Sequence, residues 1–187
     1  MSNNIQVISE RLLMRPIQPE DSGSVFSYRS NAVINQYQGW IPKTLDDVHD
    51  FILNLTSSEI NVPNTWFQFV IIKNDNDELI GDIGIHFHKS DGSQVELGCT
   101  LNHKYHGKGY AYEAITAIIN YIFDDLGKRR IIASIDLRNH PSIRLIERLG
   151  FSKKVHIKEI PAPNHTCSDD IIYAILKDEW FSNPDRF

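Results

Sequence analysis

The stretch Glu96-Leu97-Gly98-Cys99-Thr100-Leu101-Asn102-His103-Lys104-Tyr105-His106-Gly107-Lys108-Gly109-Tyr110-Ala111-Tyr112-Glu113-Ala114 changes its period half-way along. Val95 to Leu101 reads as a β-strand. From Ala111 onward, Ala114, Ile115, Ile118, Ile119, Ile122 and Phe123 fall on one broad helical face, and Gly127 suits the end of that helix. Gly107-Lys108-Gly109 therefore sits where a strand ends and a helix begins. Glycine lets a backbone pass close to a ligand, and the unpaired N–H groups at a helix start attract phosphate oxygens. The loop His103 to Ala111 is a candidate pyrophosphate cradle, though a short Gly-x-Gly before a helix is also a common plain turn. It is not a Walker A loop, because no Gly-Lys-Ser/Thr is present. It is not a dinucleotide fingerprint either, because the third glycine is missing and the preceding strand follows two hairpins.

On the N-terminal side, three consecutive strands are predicted. They are Trp66 to Ile72, Leu79 to His88, and Val95 to Leu101, joined by turns at Asn74–Asp77 and Ser90–Ser93. Before them, Arg11 to Arg15 reads as a strand stopped by Pro16 and Pro19. Pro19-Glu20-Asp21 opens a short helix, and Thr44-Leu45-Asp46-Asp47 opens another, with Val48, Phe51, Ile52 and Leu55 at helical spacing. On the C-terminal side, Arg130 to Leu137 is a strand and Pro141 to Leu149 a helix ended by Gly150. Phe151 to Ile160 and Ser168 to Leu176 are the last strands, around Pro161-Ala162-Pro163. This order implies an α/β fold with one mixed sheet and helices on both faces.

With 187 residues and no repeat or long linker, the chain reads as a single domain over residues 1–187, its core about 8–180. Hydrophobic residues make up 41% and charged residues 23%, enough apolar material for a core. The net charge of −5 argues against nucleic acid as a partner and leaves room for cationic substrates. Two cysteines, Cys99 and Cys167, exclude a disulfide framework and a four-cysteine zinc site. No run reaches the roughly 18 apolar residues of a membrane span, and Met1 to Glu10 lacks a signal-peptide pattern. A cytoplasmic protein that binds no membrane is expected.

Three segments together resemble the GNAT superfamily of acyl-CoA-dependent N-acetyltransferases: Glu96 to Leu101, Gly107-Lys108-Gly109-Tyr110-Ala111-Tyr112-Glu113-Ala114, and Asn139-His140-Pro141-Ser142 leading to Leu149-Gly150-Phe151. The opening Arg11-Leu12-Leu13-Met14-Arg15-Pro16 and the ending with Trp180 resemble its branch of ribosomal-protein N-terminal acetyltransferases. The resemblance implies a mostly antiparallel central sheet in which the Val95–Leu101 strand splays from the Ile131–Leu137 strand. It implies acetyl-CoA as co-substrate. Pantetheine would pair with backbone groups around Cys99, Thr100 and Leu101, and the pyrophosphate would lie on the amides of His106, Gly107, Lys108, Gly109, Tyr110 and Ala111. Lys104 stands where the superfamily usually has Gln or Arg. Asn139 would hold the pantetheine arm and Ser142 would face the sulfur. Ile146 replaces the tyrosine that serves many relatives as general acid, which leaves Ser142, a water or no acid at all. The branch also points to a possible homodimer.

An amine attacks a thioester only when neutral. Deprotonation near pH 7 costs roughly 1 kcal/mol for an α-amino group and roughly 4.6 kcal/mol for a lysine. Glu96 is the candidate general base, with a plain solvent-facing strand carboxylate as the alternative. A backbone N–H near Cys99 would meet the oxyanion. Tyr37, Trp40, His86 and Glu96 are the candidate acceptor-binding residues, Trp40 equally fitting a core position. His86, His88, His103 and His106 raise the question of a metal, but no acidic or cysteine partner stands at metal-ligand spacing, so no metal is expected and the histidines are read as lining the acceptor pocket or a solvated face. Cys99 reads as a small buried residue rather than an acyl-carrying nucleophile. Lys128-Arg129-Arg130 reads as a solvated helix end. A non-catalytic acyl-CoA-binding module remains the alternative of a different class.

Overall fold

The computed structural model describes residues 5–88, 92–161 and 167–182. The chain forms β1 (Val7–Ile8), β2 (Leu12–Pro16), α1 (Ser22–Arg29), α2 (Leu45–Asp50), β3 (Thr65–Lys73), β4 (Leu79–Phe87) and β5 (Gln94–Leu101). It continues with α3 (Tyr110–Asp124), β6 (Arg130–Asp136), α4 (His140–Arg148), β7 (Ser152–Pro161), β8 (Cys167–Leu176) and α5 (Lys177–Ser182). The eight strands make one sheet in the order β1-β2-β3-β4-β5-β6-β8-β7. Every neighbouring pair is antiparallel except β5 and β6, which run parallel.

The predicted strands, helices and order agree with this architecture. The turns at Ser90–Ser93 and Pro161–Pro163 lie partly outside the described residues. Three short elements were not predicted: the two-residue β1, a 3₁₀ turn at His103–Tyr105 and the terminal α5; Phe51–Leu55, expected as part of the second helix, is π-helical and follows α2 directly. There Thr56 donates its N–H to the Phe51 carbonyl.

Alternation along the strands sorts the side chains into two layers. Phe67, Phe69, Ile71, Ile83, Ile85, Val95, Leu97, Ile131 and Ala133 face α3 and α4, packing with Ile115, Ile118, Ile119, Ile122, Ile146 and Trp180 in the main core. Val25, Tyr28, Val48 and Ile52 form a smaller core under α1 and α2 on the opposite face. The caps are those that the residue types favour. Thr44 caps α2, accepting the Asp47 N–H, and Asp47 accepts the Thr44 N–H in return. Trp180, fully buried, donates from Nε1 to Asn120 Oδ1 at 2.7 Å, tying α5 to α3.

Two polar groups sit where sequence reading did not put them. Lys128 is buried rather than solvated, and its Nζ donates to Asn61 and to the Gly92 carbonyl. Asp82, in the middle of β4, is enclosed with Arg29, Tyr28 and Gln68, all of which donate to its carboxylate.

Candidate active site

The parallel pair decides the geometry. β5 and β6 are paired only at Gln94↔Arg130, Val95↔Ile131 and Glu96↔Ile132. Beyond Glu96 both strands continue, β5 to Leu101 and β6 to Asp136, without a ladder between them. β5 stays paired with β4 as far as Leu101, and β6 with β8 as far as Asp136. The sheet therefore opens as a V from a vertex at Glu96.

The edge of that V is polar. Asn102 donates its N–H to the Ile80 carbonyl of β4. The Thr100 carbonyl also faces β4, lying 2.5 Å from where a Cβ on Gly81 would stand. Alternation then aims the N–H and C=O of Cys99 and Leu101 away from β4, toward the gap. The Leu101 carbonyl is met by His106 Nε2 at 2.9 Å. Burial pushes the Cys99 thiol up to about 12, so the side chain stays a neutral thiol.

Because β5 and β6 run the same way, the chain leaves both at the open end of the V. After β5 comes a short 3₁₀ turn, His103–Tyr105, and then the glycine turn. Gly107 and Gly109 have φ of +73° and +83°, the left-handed region that glycine enters without penalty. The amides of Gly107, Lys108, Gly109, Tyr110 and Ala111 have no hydrogen-bond acceptor among the described residues. The His106 amide differs. It closes the 3₁₀ turn on the His103 carbonyl, so the run of free amides begins one residue later than the sequence suggests. Arg11 holds the turn from outside, donating from Nη1 to the Lys108 carbonyl and from Nε to Glu113 Oε2 at 2.6 Å. Lys104 and Lys108 are exposed beside it.

After β6 comes α4, whose N-cap is Asn139, accepting the Ser142 N–H on Oδ1 at 3.3 Å. Ser142 is half-buried in the first turn. Ile146 lies one turn further on and packs into the main core.

Glu96 stands at the vertex, directly opposite His86 in the β4–β5 ladder. His86 stacks on Trp66 with ring centroids 4.9 Å apart and meets His88 edge-on at 4.6 Å. His88 Nε2 is 3.8 Å from Glu96 Oε2. Burial raises the Glu96 carboxyl above the usual range; His88 opposes this and Asp170 adds to it. Burial, and then the neighbouring His88, hold the His86 imidazole below its ordinary value. Of the acceptor-side residues, the structure brings His86 and Glu96 together. Tyr37 is placed at the open end, against the Arg138 guanidinium at 5.8 Å. Trp40 stacks on Phe51 at 4.3 Å and belongs to the smaller core. His88 was expected with His86 in the acceptor pocket or on a solvated face, from their i, i+2 spacing; Trp66 was not assigned to this site, and nothing in its local sequence marks it.

The sequence profile described as an acetyltransferase (GNAT) domain matches residues 11–152. The chain belongs to the GNAT acetyltransferase family. It is 32% identical to the uncharacterised N-acetyltransferase YnaD of Bacillus subtilis (strain 168), over 94% of this chain and 99% of that one. The [ribosomal protein uS5]-alanine N-acetyltransferase of Escherichia coli (strain K12) is 24% identical, over 94% of this chain and 93% of its own. Among solved structures, a GNAT-family acetyltransferase from Bacillus anthracis superposes with a TM-score of 0.81 at 30% identity, covering 93% of this chain and 99% of that one. The mixed sheet with helices on both faces is that of this GNAT neighbour. Among the described residues, no helix of this GNAT protein is long and apolar enough to cross a membrane.

Proposed function

We propose that the protein moves an acetyl group from acetyl-CoA to a primary amine by direct transfer within a ternary complex. The observation that carries this reading is the parting of β5 from β6 after Glu96, with five amides at the open end that have no acceptor among the described residues. The pantetheine arm fits the gap as an extended chain against the Cys99 and Leu101 edge, and the pyrophosphate fits the amides of Gly107 to Ala111. Lys104 and Lys108 add positive charge, and the Asn139 amide nitrogen is left to hold the arm.

Glu96 then takes a proton from the incoming ammonium, through a water. Its raised carboxyl suits that task better than an ordinary surface glutamate. The neutral amine attacks the thioester carbon, and the oxyanion forms beside the Cys99 N–H. Collapse expels the CoA thiolate, and the Ser142 hydroxyl relays to it the proton that the attacking nitrogen loses, so that serine ends as it began. Trp66 and His86 wall the acceptor side.

The acceptor follows from proton energetics. One carboxylate acting through water offsets the roughly 1 kcal/mol needed by an α-amino group more readily than the roughly 4.6 kcal/mol needed by a lysine. Protein N-termini and small amines of depressed pKa are the preferred acceptors. The test is thiol release from acetyl-CoA with N-terminal peptides, lysine side-chain analogues and small amines. Turnover on the first and last groups is expected, with Glu96→Gln lowering kcat about 100-fold.

One observation favours a second reading, a non-catalytic acyl-CoA-binding module. Ile146 is buried in the core and supplies no proton. Acetyl-CoA-dependent stabilisation without thiol release on any amine would decide for that module.

A further inference from the structure

His86, His88 and Glu96 each place a ligand atom within 4.8 Å of the other two. His86 and His88 share one face of β4 and its end, and Glu96 reaches them from β5, opposite His86 in the ladder. The acidic partner missing at local sequence spacing is thus supplied across the sheet. We propose that these three residues form a site for a divalent transition ion of the Zn²⁺ class, bound in competition with the amine acceptor.

Three features carry the proposal. His88 Nε2 is enclosed and has no hydrogen-bond partner among the described residues, yet stands 3.8 Å from Glu96 Oε2. That separation is too long for a hydrogen bond. It is close to the about 3.3 Å between two ligands on one tetrahedral zinc, so modest rotation of the side chains closes the set. The donor set is two imidazoles and one carboxylate, which suits Zn²⁺ or Co²⁺ rather than the all-oxygen shells of Mg²⁺ or Ca²⁺. The stack on Trp66 fixes the plane of the His86 ring. Three protein ligands leave a fourth position open.

The consequence for catalysis rests on the acetyl-transfer reading above. A carboxylate that ligates an ion cannot accept a proton from the amine, and the ion sits between His86 and Glu96 where the ammonium would dock, so it excludes the acceptor and acts as an inhibitor, not as a cofactor. The site's two histidines come from β4 and its end, on the other side of β5 from the gap where acetyl-CoA is proposed to lie.

The experiment separates the two readings. Chelator-treated full-length protein, without acetyl-CoA or amine, is titrated with ZnCl₂ by calorimetry and with CoCl₂ by visible absorption. One saturable site per chain is expected, with the intense ligand-field bands of tetrahedral Co²⁺. His86→Gln, His88→Gln and Glu96→Gln should each weaken Zn²⁺ binding by more than the about 10–100-fold that supporting-residue changes cost. Circular dichroism and a urea midpoint check that each variant folds; if a histidine variant does not, the near-isosteric Glu96→Gln and the wild-type Co²⁺ spectrum decide. No saturable binding by the wild type, an octahedral Co²⁺ spectrum, or unchanged affinity in the folded variants overturns the site, whatever the turnover. With binding established, Zn²⁺ should raise the KM for the amine reversibly, leaving the KM for acetyl-CoA unchanged. Tight Zn²⁺ binding by a protein that turns over no amine supports the site and overturns the acetyl-transfer reading alone.

Discussion

Asp82 is about 1% exposed and accepts hydrogen bonds from Tyr28, Arg29 and Gln68. Arg29 is buried too, and its guanidinium lies 5.5 Å from the Trp40 ring. This ion pair fastens α1 to β4 and supports the Trp40 segment. Breaking one partner of a buried pair strands the other charge, so Asp82→Asn should destabilise by about 3–5 kcal/mol, read from urea unfolding. No local spacing announced this pair, since the residues meet across 53 positions. At the glycine turn, nothing lies within 4 Å of a Cβ added at Gly107, so only its φ of +73° opposes a side chain. Gly107→Ala should cost about 1 kcal/mol in the turn and raise the KM for acetyl-CoA with little change in kcat. Gly109→Ala should do more, because Arg11 Nη2 stands 3.3 Å from the added methyl.

At the scale of elements, α3 is positioned by its own first turn. Glu113 accepts from the Ser9 hydroxyl, the Arg11 N–H and the Arg11 guanidinium. Partial burial pushes its carboxyl upward, but these donors outweigh it and hold it below the usual glutamate range. A group depressed in the folded state binds protons less readily than in the unfolded chain. Its contribution is therefore complete above about pH 5 and is lost as the pH falls through the depressed value. Glu113→Gln should flatten that part of the acid limb in urea unfolding measured against pH. The element itself was legible in the sequence, because seven apolar residues at helical spacing leave few alternatives. The segment Phe51–Leu55 was legible only as helix. Apolar spacing does not distinguish a bond to the fourth residue back from the bond to the fifth that Thr56 makes. β1 has two residues, too few to show a period, and Lys128 reads as solvated until Asn61 and Gly92 close over it.

At the scale of the molecule, both flanks of the V alternate like ordinary strands. Nothing in Val95–Leu101 or Ile131–Leu137 alone says that they part; the expectation came from family resemblance, and the ladder ending at Glu96↔Ile132 bears it out. The residues around the gap were legible for the same reason. The histidines at its vertex were legible as an acceptor-side pair, but their approach to Glu96 was not, because that partner arrives from another strand. If the gap takes acetyl-CoA, the ligand at about 100 times its Kd should stabilise the fold by about 2.7 kcal/mol, visible as a raised thermal midpoint. Hydrogen exchange at the Cys99 and Leu101 amides should slow on loading, while amides within α3 change little.

A sheet that stops bonding half-way is mechanically two leaves, five strands and three, stitched by three rows. Prying them apart meets little beyond that short seam and the helices spanning it. If an extended thiol arm is laid between the leaves, it touches both at once. Occupancy would then stiffen the seam between the leaves, while each leaf keeps the rigidity of its own ladders.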